Sequence, residues 1–126
     1  NHIAASVMAK ARDYVTPIEC YNKIPYNAMK LNVGEQDKPL TYSLLAKEQK
    51  GAVLSVLKKA EDEDALILRV YNPAESGQIE DGVAFTQPVT SWQETSLDER
   101  VRDTEVASQS FGALNACQAK SFQVKF

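Results

Sequence analysis

The chain has 126 residues, a length that fits one domain. Hydrophobic residues make up 44% of it and charged residues 25%, an ordinary globular balance that argues against disorder and permits a buried core. A net charge of -3 supplies no basic footprint for nucleic acid or an anionic membrane surface, and no uncharged apolar run approaches the roughly 20 residues that span a bilayer.

Ile3, Val7, Met8 and Ala11 recur at helical spacing and predict a short helix over residues 3–13, stopped by Thr16-Pro17. Residues 18–21 can begin a strand. Residues 23–37, with Pro25 inside and Pro39 just beyond, read as an irregular connection. A short strand is expected over residues 43–46, with residues 47–51 as its turn.

Residues 53–73 carry the strongest signal. Val53, Leu54, Leu57, Ala60 and Glu61 fall near one face at a helical period, and Lys and Glu favour helix. Against this, Val53 and Val56 are β-branched, and the apolar run 65–71 holds Ile67 and Val70 and closes at Asn72-Pro73, a strand ending. The expectation is an antiparallel pair, 53–58 and 65–70, joined by the acidic residues 61–64. Beyond Pro73, residues 74–78 and 80–82 are turn signals that bracket little structure. Strands are expected at 83–86, 92–97 and 104–108, the last two separated by the Asp98-Glu99-Arg100 turn. In the final segment Phe122, Val124 and Phe126 alternate with Ser121, Gln123 and Lys125. Several short strands at regular spacing predict a mainly β fold, an antiparallel β-sandwich with a short N-terminal helix.

Residues able to carry chemistry are sparse. His2 is the only histidine, so the chain alone builds no histidine metal site, triad or acid-base pair. Residues 61–64 hold four acids, but neighbours in a turn are poorly held for glycoside hydrolysis, which needs carboxylates about 5 to 10 Å apart across a sugar ring. Arg69, flanked by Leu68 and Val70, needs a partner: Glu61, Glu63, a carboxylate of another domain, or solvent at an exposed sheet face. Trp92, with Tyr71, Tyr42 and Phe85, could form a sugar-stacking platform or pack as core. Arg69, Tyr71 and Trp92 are therefore the interface or sugar-contact candidates; no catalytic, cofactor-binding or metal residue is expected. Cys20 and Cys117 lack metal spacing and read as buried reduced thiols, with a disulfide as the alternative.

Residues 53–73 resemble the C-terminal β-sandwich region of glycoside hydrolase family 38, the α-mannosidases, above all its bacterial members. The family pattern there is a strand of the type Val-Leu-Ser-Ala-Leu-Lys, then Lys-Ala-Glu-Asp, a short turn, and a strand of the type Leu-Ile-Leu-Arg-Leu-Tyr-Asn-Pro. Residues 11–18 are similar to the segment that leads into the sandwich, and residues 117–126 to its closing strand. Asp64-Ala65 departs from the glycine that relatives often carry. The resemblance implies a piece of a larger bacterial, cytoplasmic enzyme: a single C-terminal domain, with residues 1–16 as helix and linker from the preceding region. It implies a parent that hydrolyses α-mannosidic bonds with retention and holds zinc in its catalytic domain. This domain is then non-catalytic, with the catalytic domain as its partner and a mannose-containing glycan met through the parent. The alternatives are an independent carbohydrate-binding module or an oligomerisation domain, the latter with a possible homo-oligomer. Excision from a partner is expected to expose Ile3, Val7 and Met8, and Ile67 and Tyr71 beside Arg69.

Overall fold

A computed structural model describes residues 7–19, 41–47 and 51–126. The chain divides into two units, residues 1–42 and 43–126. In the first unit, helix α1 spans Val7–Val15. It runs two residues past its expected end and stops ahead of Pro17, whose ring disfavours helical backbone in the residue before it. Val7, Tyr14, Val15 and Ile18 are exposed, as expected for Val7; the positions of Ile3 and of the Met8 side chain lie outside the described residues, as does the connection expected at 23–37, and of the strand start expected at 18–21 only residues 18 and 19 are described, neither of them in a strand.

The second unit has eight strands among the described residues: β1 Leu45–Lys47, β2 Val53–Lys59, β3 Leu66–Tyr71, β4 Gln78–Gly82, β5 Ala84–Phe85, β6 Ser91–Thr95, β7 Ser110–Asn115 and β8 Ala119–Lys125. One sheet has the order β2-β3-β8-β6, and two ladders, β4-β7 and β1-β5, complete the sandwich. All pairings are antiparallel. The β2–β3 hairpin forms as expected, with Leu57 opposite Leu68 and Val53 opposite Tyr71. Its register shifts between Leu54 and Val56, so Ser55 is the extra residue of a bulge.

Period-2 alternation sorts the four-stranded sheet into two faces. Leu68, Val70, Phe122, Val124 and Trp92 face the core with Phe111 and Leu114 of β7 and Phe85 of β5. Trp92 stacks on Phe122 at 4.7 Å between ring centres, and its indole N–H donates to the Ser110 carbonyl at 3.0 Å. The second contact joins the two layers. Phe111, Phe122, Leu68 and Leu114 are wholly buried.

Two expectations are corrected in this unit. Residues 78–82 form strand β4 rather than a turn: Ile79 is its one large apolar residue, and pairing with β7 holds the rest. Residues 104–108 form no strand, although Val106 packs against the core. The neighbouring strand is β7, whose Ser, Gly, Ala and Asn content conceals it, and Gly112 takes φ 61° there. Asp81 ties the two layers at one end, its carboxylate accepting the backbone N–H groups of Gly51 at 2.8 Å and Ala52 at 3.0 Å.

Candidate functional site

The other face of the four-stranded sheet gathers the polar residues. Arg69 on β3 lies opposite Val56 of β2 and Ser121 of β8, and Thr95 and Gln93 of β6 lie opposite Ser121 and Gln123. Ser121, Gln123 and Thr95 are nonetheless buried. Two connections cover this face: the β2–β3 turn, residues 60–65, and the turn after β6, residues 96–101.

Each connection is internally braced. In the first, the Ala60 N–H donates to the Ala65 carbonyl at 2.8 Å, and Ala60 and Ala65 bury Ile67 beneath them. Ile67 is therefore enclosed, not on a free surface as expected; the small alanines let the turn close onto it. In the second, Ser96 bonds the Asp98 carboxylate through its hydroxyl, and its N–H donates to the Arg100 carbonyl at 2.9 Å. Glu99 takes φ 66° at the turn's apex, a left-handed conformation uncommon outside glycine and asparagine.

That apex aims Glu99 across to the first turn. Its carboxylate meets the Lys58 ammonium at 2.6 Å and accepts the Glu61 backbone N–H at 3.0 Å. The Lys58 contact, with that N–H behind it, holds the Glu99 carboxyl below its ordinary pKa. Lys58 is raised in turn, by Glu99 first and Glu61 second. Asp98 is lowered, chiefly by the Ser96 hydroxyl.

Arg69 is half-buried and serves the same assembly. Its Nε donates to Ser121 Oγ at 2.9 Å and its Nη2 to the Leu97 carbonyl at 3.3 Å. The expected carboxylate partners go elsewhere: Glu61 takes Lys58 at 3.0 Å, and Glu63 takes Lys125. A hydroxyl and a carbonyl that belong to the sheet and its covering turn thus replace them.

Between the two turns lies a notch of about 480 Å³, lined by Ala60, Asp62, Glu63, Asp98, Glu99, Arg100, Val101 and Gln123. Gln123 comes from the central strand β8 and forms its floor; the residue is 4% exposed. Among the described residues no group of three or more His, Cys, Asp or Glu side chains is placed to hold a metal ion.

A family model described as the glycosyl hydrolases family 38 C-terminal beta sandwich domain matches residues 51–126. The chain belongs to this family. No curated protein and no solved structure matches the chain. The family 38 match begins at Gly51 and takes in β2 to β8, and so includes both connections that cover the notch.

Within this family 38 sandwich the sequence-predicted site residues separate. Arg69 and Tyr71 share the notch-bearing face of β3, and Tyr71 is half-buried opposite Val53 and Ala119. Trp92 points to the opposite, interior face and is 9% exposed, with its ring on Phe122, the core packing that was the other of its two readings. Phe85 is likewise a core residue, packed edge-on against Phe126 at 5.2 Å, while Tyr42 is exposed in the first unit. Cys117 is exposed and free rather than buried, in the β7–β8 turn at φ 57°; Cys20 lies outside the described residues, as does His2. Sequence reasoning missed Glu99 and Gln123. The only available signal for Gln123 was its place in the polar half of the final alternation.

Proposed function

We propose that the chain is the non-catalytic C-terminal β-sandwich of an α-mannosidase, packed against the catalytic domain of the same polypeptide. The family match over residues 51–126 carries this reading, and the near-complete fit of residues 53–73 to the α-mannosidase form of the segment extends it to substrate. The parent hydrolyses α-mannosidic bonds with retention in this reading, and zinc belongs to its catalytic domain. Its mannose-containing glycan is met there and not by Trp92. The form of the segment also points to a bacterial, cytoplasmic enzyme, with residues 1–16 as helix and linker from the preceding region.

The test is the full-length parent assayed on aryl α-mannosides, α-glucosides and α-galactosides beside this chain alone. Turnover of the α-mannoside by the parent, with none by the chain, is the expected outcome. A parent selective for another glycoside, or turnover by the chain that a point substitution within it abolishes, overturns the reading.

A further inference from the structure

We propose that the notch between the turns 60–65 and 96–101 is a socket for a basic side chain, an arginine by its hydrogen-bonding pattern, presented by the catalytic domain. The identity of that partner rests on the reading of the chain as a domain docked on its own enzyme. The chemistry of the socket rests on its lining.

Two of the lining groups are left with unused capacity. Gln123 is almost wholly buried, yet its carboxamide has no hydrogen-bond partner among the described residues. Its amide atoms are not sealed inside the protein, the buried and unpartnered side-chain atom among the described residues being Thr95 Oγ1, so the carboxamide meets the notch with hydrogen-bonding capacity to spare. At the rim, Glu63 is paired with Lys125, Asp98 with Arg100 at 3.0 Å and Glu99 with Lys58 at 2.6 Å. Asp62 alone among the rim carboxylates has no ion-pair partner among the described residues. Arg100 does not fill the place, because its side chain is 86% exposed as it holds Asp98.

The remaining capacity is a carboxamide in the floor, whose oxygen can turn to an incoming donor, and a carboxylate at the mouth. Both accept hydrogen bonds, and together they match a long side chain with several donors at its tip. Guanidinium offers five N–H donors in a fixed plane and sheds water more readily than an ammonium, which suits a partly buried floor. An anion would meet the carboxylates. A pyranose would find only Ala60 and Val101 as apolar lining, with no aromatic face to lie on. Among the described residues no group of three or more His, Cys, Asp or Glu side chains is placed to hold a metal ion there.

The experiment titrates the chain with N-acetylarginine methylamide and follows the Gln123 side-chain NH₂ signals by NMR. A saturable shift at concentrations on the order of a millimolar is expected, several-fold weaker in Asp62→Asn, and in Gln123→Leu the backbone amides of residues 60–65 and 96–101, which should move with it in the original chain, should show no saturable shift. N-acetylcitrulline methylamide, of the same shape but uncharged, should leave those signals in place. The proposal is overturned by no saturable shift, by an equal response to the citrulline compound, by unchanged affinity in Asp62→Asn, or by methyl α-mannoside producing the shift instead. Because the titration uses this chain alone, its failure removes the socket and leaves the domain assignment standing. A parent inactive on α-mannosides does the reverse.

Discussion

Asn72 closes strand β3 with both ends of its side chain engaged. Its Nδ2 donates to the Leu114 carbonyl at 3.1 Å, its Oδ1 accepts the Ala74 N–H at 2.9 Å, and the residue is 1% exposed. Asn72→Ala strands a buried carbonyl and a backbone N–H, a loss of about 1–3 kcal/mol. The check is the urea midpoint. Asn72→Asp should lose stability as well, because it keeps the acceptor for Ala74 but sets an oxygen against the Leu114 carbonyl. The strand ending at Asn72-Pro73 was legible in the sequence, since proline cannot donate to a ladder. The reach to Leu114 was not, because β7 carries no pattern that announces it. Arg69 shows the same division: an arginine inside an apolar run advertises a need for partners, whereas their identity depends on a turn folded over from elsewhere in the chain.

Elements are held to one another here by a few polar groups, and the contact between Lys58 at the end of β2 and Glu99 in the turn after β6 is the most exposed to pH. Glu99 is depressed in the folded state, so its contribution is present above the ordinary carboxylate value of 4.5 and is lost as pH falls through the folded value. Lys58 is raised, so its contribution is complete below 10.5 and is lost as pH rises through the folded value. Glu99→Gln should therefore lower the thermal midpoint at neutral pH and flatten its fall as pH drops below the ordinary carboxylate value of 4.5. An acid limb as steep as that of the original chain would place the titration elsewhere. Strand β4 offers a second check. A Cβ at Gly82 would meet the Gln109 carbonyl oxygen at 2.6 Å, whereas one at Gly77 would meet nothing within 4 Å, despite a φ of 88° there. Gly82→Ala should thus lower the denaturation midpoint more than Gly77→Ala, which bears only the backbone strain of about 1–2 kcal/mol. Neither glycine's role could be read beforehand. Glycine at a turn and glycine at a close approach look alike until the neighbouring strand is known.

For the molecule as a whole, the sandwich was legible because residues 53–73 and 119–125 alternate or run apolar in the lengths that strands use. The second layer was not, since β4 and β7 are held by pairing and by a few large side chains. Phe122 stacks on Trp92 of its own sheet at 4.7 Å and meets Phe111 of the other layer at 5.6 Å between ring centres. Phe122→Ala should cost about 3–5 kcal/mol. Against the roughly 5–15 kcal/mol that holds a domain folded, this should leave a large unfolded fraction near physiological temperature, measurable by the loss of near-ultraviolet circular dichroism.

The two outer strands of the four-stranded sheet carry a further consequence. β2 has the Ser55 bulge in its middle and Lys58 and Lys59 at its end. β6 has its far side occupied by its own chain, through the bridge from Thr95 to Val101 and the Arg102 N–H bonded to the Glu94 carbonyl at 2.8 Å. Neither rim offers a long, straight row of free amides on which a stray strand could template itself. Those two rims are thereby guarded against edge-to-edge aggregation, a protection that matters most while a newly made sheet has yet to bury its apolar face.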